Sequence, residues 1–230
     1  MSEQIVDKRE FYNQTEIAGA YDAQRFGGAS GAWVNQRELA LILSLLPPAP
    51  RVLDLGCGTG RLTRALARQS QTVGLDAAGS MLQEARRIAP LPFIQGDAFT
   101  LPFADASFDG VTALRLVFHF QALGPLLSEM RRVVKPGGSV VFDTYTWSPR
   151  AWRPLDPQKW GGGVFIHSPN LVAQAAQQAG LAVAAQAHAF LFSPYLYRRL
   201  PLPLVKLLGF VDTRLPARSH ARIFWRLERT

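Results

Sequence analysis

The chain has 230 residues, 48% hydrophobic and 18% charged, enough for one domain with a sizeable core. Its single cysteine excludes an internal disulfide and suits a reducing, cytoplasmic setting. The polar start Met1–Glu10 leads to the expectation of no secretory signal, and no apolar run nears the roughly 18 residues that span a bilayer. The formal charge of +8 is uneven: residues 1–150 hold 15 Lys/Arg against 14 Asp/Glu, and residues 151–230 hold 10 against 3.

In chain order, a helical start over Glu10–Ala20 leads to Tyr21-Asp22 and Arg25-Phe26. A strand near 51–55 runs into the turn of Val52-Leu53-Asp54-Leu55-Gly56-Cys57-Gly58-Thr59-Gly60. Glycine at alternate positions lets the main chain bend sharply and approach a ligand without a Cβ in the way. The dinucleotide fingerprint G-x-G-x-x-G is a related device, but here the third glycine comes one residue early and Arg61 stands where Gly or Ala is wanted. A helix near 60–69 follows. Gln71–Asp76 reads as a short strand ending in an acid, and Ala77-Ala78-Gly79-Ser80-Met81-Leu82 opens a helix over 79–88.

A third segment, with its strand at 92–96, ends in Asp97 before Ala98-Phe99. Leu101–Val111 leads into a strand over 108–115, and a helix over 121–135 precedes Pro136-Gly137-Gly138. There proline should stop the helix and glycine accept a left-handed cap, with a strand over 138–145 beyond. Ser168 reads as an N-cap, Pro169 as the first helical residue and Gly180 as the terminator. Strands over 181–190 and 221–228 complete an alternation typical of a parallel sheet.

The D-x-G-x-G-x-G turn, the strand-end acids Asp76 and Asp97, the run Leu101-Pro102-Phe103-Ala104-Asp105-Ala106-Ser107-Phe108-Asp109 and the Pro-Gly-Gly turn fall in order over 51–145. Together they resemble the class I S-adenosylmethionine (AdoMet) methyltransferases of the type 11 group. The resemblance implies an α/β, Rossmann-like fold: seven strands, mostly parallel with an antiparallel last strand, and helices on both faces. It implies one domain over 1–230, with a helical lid (1–50), an AdoMet-binding core (51–145) and a C-terminal half (146–230) carrying a basic, apolar insertion over 191–220.

The cofactor implied is AdoMet, leaving as S-adenosylhomocysteine (AdoHcy), with no metal. Around Cys57, backbone N–H groups of the Gly56, Gly58, Gly60 turn would meet the methionyl carboxylate, with Asp54 fixing the loop. Asp76, followed by Ala77, would hold the ribose, and Met81 would lie along the adenosine. Asp97 and the Ala98 N–H, just before Phe99, would meet the adenine. Tyr21 would approach the methionyl group, and Arg115 would reach that group or an acidic substrate. Cys57 is a filler or a nucleophile. His119, after the fourth strand, is the candidate catalytic residue, taking a proton from a hydroxyl or enol, or else a pocket-lining histidine.

Residues 191–220 interleave Arg198, Arg199, Lys206, Arg214 and Arg218 with leucine, tyrosine and phenylalanine, and should help roof the substrate pocket. Trp147, Trp152 and Trp160, with Pro149, Pro154 and Pro157, either stack on an acceptor or pack the insertion. Three functions remain open. The first is in-line methyl transfer to oxygen, carbon or nitrogen of a small, apolar or lipid-linked acceptor, with peripheral membrane contact through 191–220. The second is nucleic-acid (RNA) methylation, disfavoured because Ala113-Leu114-Arg115-Leu116 replaces the Pro-Pro-aromatic run of exocyclic-amine methylases. The third is a non-catalytic AdoMet binder.

Overall fold

Val52, Leu53 and Leu55 are wholly buried because β1 (Arg51–Leu55) is covered on both faces. In the computed structural model, which describes residues 8–152 and 163–230, β1 lies near the middle of a seven-stranded sheet. The other strands are β2 (Gln71–Asp76), β3 (Phe93–Gln95), β4 (Phe108–Ala113), β5 (Val134–Tyr145), β6 (Leu181–Ala189) and β7 (Arg222–Arg229). Their spatial order is β3-β2-β1-β4-β5-β7-β6. Strands β1 to β5 run parallel, whereas β7 is antiparallel to both neighbours, Phe142 facing Trp225 on one side and Gln186 facing Trp225 on the other. The last strand is antiparallel as expected and is inserted between β5 and β6.

Strand side chains alternate between faces. Leu53, Leu55, Val140, Phe142, Ile223, Trp225 and Leu227 join one core with α6 (Gly124–Val133) and α8 (Pro169–Gln178). Val52, Val141 and Phe224 join the other with α3 (Gly28–Leu45) and α4 (Arg61–Leu66). Apolar residues on both strand faces are what a parallel sheet wrapped by helices requires. The remaining helices are α1 (Lys8–Tyr12), α2 (Thr15–Phe26), α5 (Gly79–Ile88), α7 (Pro149–Trp152), α9 (Pro194–Tyr197) and α10 (Leu202–Asp212).

Several boundaries differ from the sequence reading. The helix expected over Glu10–Ala20 is broken at Asn13 and Gln14, giving α1 and α2. Helix α6 ends at Val133, ahead of Pro136, and the chain passes straight into β5. Gly137 does take a left-handed φ of 75°, but within β5 rather than as a helix cap. Ser168 caps α8 as expected, its Oγ accepting from the Leu171 N–H at 3.3 Å. Such a cap contributes about 1 kcal/mol.

Candidate active site

The turn after β1 is built by three left-handed residues, with φ of 67° at Gly56, 54° at Gly58 and 76° at Gly60. A Cβ at Gly56 would meet the Leu116 side chain at 2.8 Å, and one at Gly60 would meet the Phe93 ring at 2.8 Å. Gly58 instead faces open space and gives its N–H to Asp76 Oδ2 at 2.8 Å. Asp76 Oδ1 accepts from the Ala78 N–H at 2.9 Å, so this carboxylate ties the glycine turn to the start of α5. Burial raises its pKa, and the Ala78, Gly58 and Ala77 N–H groups oppose that rise.

Asp54 points to the face opposite Leu53 and Leu55, under α4. Thr63 Oγ1 donates to it at 2.6 Å and Thr112 Oγ1 at 3.2 Å. Asp54 is therefore held through two threonine hydroxyls. Burial pushes the Asp54 carboxyl up to about 7 despite these bonds. Asp97 accepts the Phe99 N–H at 2.9 Å and pairs with Arg9 of α1.

These groups line one cavity of about 1100 Å³, counting its open mouth, at the carboxyl ends of β1, β2 and β4. Tyr21, Asp54, Gly56, Cys57, Gly58, Asp76, Ala77, Met81, Asp97, Ala98, Phe99, Arg115 and His119 all reach it. Gly60 does not. It opens α4 and makes room for Phe93 instead. Cys57 sits against Leu82, Ala85 and Phe93, and burial holds its thiol well above the usual range, so the thiol form persists there.

Arg115 occupies a left-handed conformation, φ 64°, rare for a residue with a side chain. Its N–H bonds Asp143 Oδ1 at 2.6 Å, and its guanidinium grips fully buried Glu38 at 2.8 and 3.0 Å. Arg222 bridges Glu38 to Asp143, and Arg61 lies 3.8 Å from Glu38. Burial alone would raise the Glu38 pKa, but Arg115, Arg222 and Arg61 bring it down to about 2. Arg115 therefore lines the cavity with its guanidinium already committed to Glu38.

The roof comes from elements the sequence reading underused. Lys8, Arg9 and Tyr12 of α1 and Tyr21 of α2 close over the cavity. Asp22 takes the Thr59 hydroxyl at 2.8 Å, and Asn13 bonds Ser80 through Oδ1 at 3.1 Å and its carbonyl at 2.6 Å. A five-residue helix has no periodicity to read, so only the Tyr21-Asp22 pair signalled the lid.

The described residues of 191–220 do not line the cavity, contrary to expectation. They pack on α3, where Trp33 stacks on Tyr197, and reach the lid through Tyr195, whose hydroxyl accepts from Arg25 and Arg150. Trp147 is 42% exposed and stands away from the cavity. The side chain of Trp152 lies outside the described residues, as do Pro154, Pro157 and Trp160.

Residues 53–142 fit the family model described as a methyltransferase domain. The chain carries a class I methyltransferase domain of the type 11 group. The chain is 44% identical over 110 residues to a demethylmenaquinone methyltransferase of Beutenbergia cavernae, covering 44% of this chain and 45% of that protein. It is 45% identical over 100 residues to a malonyl-[acyl-carrier protein] O-methyltransferase of Erwinia pyrifoliae, covering 43% and 38%. The chain thus spans about half or less of the length of these curated relatives. A SAM-dependent methyltransferase of Thermotoga maritima shares the fold of the methyltransferase domain with a TM-score of 0.70 at 17% identity, covering 96% and 99% of the two chains.

Proposed function

We propose that the protein transfers a methyl group from AdoMet to a small, apolar or lipid-linked acceptor. The observation that carries this reading is the convergence of Gly58, Asp76 and Asp97 on one cavity that continues to His119 under α1. The donor set fits the cofactor: Gly58 leaves open space where a Cβ would stand, and carboxylates end β2 and follow β3, where ribose hydroxyls and an adenine amine need acceptors. The relatives named for a quinone precursor and an acyl-carrier substrate support an acceptor of that kind.

The sulfonium of AdoMet supplies an already activated methyl group, so the protein's work is to place the acceptor in line and exclude water. In this reading Asp76 and Met81 hold the nucleoside, Asp97 and Ala98 the base, and Tyr21 with the Gly56–Gly58 turn the methionyl end. Arg115 acts there through its charge, since Glu38 occupies its hydrogen-bonding edge. Calorimetry with AdoHcy tests the first half: binding should weaken at least tenfold, about 1.4 kcal/mol, in Asp76→Ala. Label transfer from AdoMet into a metabolite extract tests the second. Binding without transfer into any fraction would instead favour a non-catalytic AdoMet binder.

A lipid-linked acceptor also gives a use to the outer face of α10, where Leu207 and Phe210 are 56% and 57% exposed. Lys206 is next to Leu207 on the helix, and the Arg214 guanidinium lies over the Phe210 ring. Basic and apolar residues mixed in this way suit an anionic bilayer surface. Sedimentation with anionic vesicles should fall when Leu207 and Phe210 are changed to serine, and equal sedimentation would remove this contact. No helix among the described residues is long and apolar enough to cross a membrane.

A further inference from the structure

Lys8 reaches from α1 across the cavity to His119. Its Nζ lies 2.9 Å from His119 Nδ1, 2.9 Å from the Gly163 carbonyl and 3.5 Å from the His119 carbonyl. Carbonyls only accept, so the terminal nitrogen must turn protons toward them, and a third proton is left for Nδ1. No carboxylate pairs with Lys8 among the described residues. The imidazole lines the cavity, and its Nε2 has no hydrogen-bond partner among the described residues.

We propose that Lys8 and His119 form one hydrogen-bond donor that holds an acceptor already ionised before it binds, such as a carboxylate, phenolate or enolate. Lys8 is the positioning residue: by donating to Nδ1 it places the ring proton on Nε2, facing the cavity. His119 is then a donor toward the acceptor and not the base the sequence first suggested. This rests on the methyl-transfer reading and names its substrate class.

The surrounding charges agree. Lys8, Arg150, Arg25 and Arg115 face His119 from α1, α7, α2 and the end of β4, with the phenols of Tyr12 and Tyr21 beside them. Burial, then those four cations, hold His119 well below its ordinary pKa, so the ring is neutral near pH 7. Burial, then Arg150, lowers Lys8 to about 8, leaving it mostly charged at the same pH. Acids cluster at the other end, in Asp54, Asp76 and Asp97. A neutral acceptor that must lose a proton would find no carboxylate base near His119 among the described residues lining the cavity.

An ionised acceptor needs none. Its lone pair forms the bond to the methyl carbon, and the methyl–sulfur bond breaks with its electron pair left on sulfur. The acceptor's negative charge cancels the sulfonium's positive one, so no proton has to leave.

Two measurements test this. Nitrogen-15 spectra of histidine-labelled protein alone should show His119 protonated on Nε2 and bare at Nδ1. That signature should be lost in Lys8→Met and kept in Lys8→Arg. Titration of the AdoHcy complex should show benzoate binding at least tenfold tighter than benzamide, with the preference gone in Lys8→Met while AdoHcy affinity is unchanged. A proton on Nδ1, or benzamide binding as well as benzoate, would overturn the proposal. So would an unchanged benzoate preference in Lys8→Met, or no binding of either probe. Because the spectra need no cofactor, an absence of AdoHcy binding would count against the methyl-transfer reading separately.

Discussion

Asp54 shows how much one position can be asked to do. It is 1% exposed, bonded by two threonine hydroxyls, and its carboxyl titrates near 7 in the fold against 3.8 for a free side chain. A carboxyl raised in this way contributes its full stability below the unfolded value. That contribution is lost as the pH rises from 3.8 toward 7 and is constant beyond. Asp54→Asn has no such loss. Its stability relative to the natural protein should improve by more than about 1 kcal/mol between about pH 4 and about pH 8, each unit being worth ~1.4 kcal/mol. Urea titrations at the two values check this; a constant difference would mean that Asp54 is ionised throughout. The motif made Asp54 conspicuous in the sequence because a short run of local residues sets the glycine turn. Its threonine partners were hidden, since Thr112 lies on another strand, 58 residues away.

Among the elements, strands were the most legible, because those buried on both faces leave short apolar runs ended by glycine or an acid. Helix α6 was misjudged at its end: Pro136 looked like the stop, but the β4 pairing captures the chain at Val134 first. Helix α10 was unreadable as a helix packed on α3, and its seat depends on one small residue. A Cβ at Gly209 would come within 2.5 Å of the Trp33 ring, which also stacks on Tyr197. Gly209→Ala should therefore destabilise the protein by about 1–3 kcal/mol through overpacking, although alanine is the better helix former. Thermal unfolding monitored by tryptophan fluorescence reads this directly. Unchanged stability would show that α10 can shift on α3 at little cost.

At the scale of the molecule, Glu38 is the point where distant parts meet. Arg222 lies 184 residues away and Arg115 77 residues away, yet both bond its carboxylate in the interior. No pattern in the chain announces such a cluster, because its members share neither an element nor a spacing. Glu38→Gln leaves three guanidiniums around a neutral group, and should cost about 3–5 kcal/mol as broken buried pairs do. Chemical denaturation would measure the loss, while near-natural stability would mean that Asp143 alone can offset the arginines.

The placement of β7 also bears on how the molecule assembles. Residues 222–229 form the rung between β5 and β6, so during synthesis the first five strands present a bare, unpaired margin until those residues have left the ribosome. Strand β6 has no sheet neighbour to join before then. Such a margin invites pairing with other nascent chains. The arrival of a single eight-residue segment after the six other strands thus decides between a finished sheet and an aggregation-prone one.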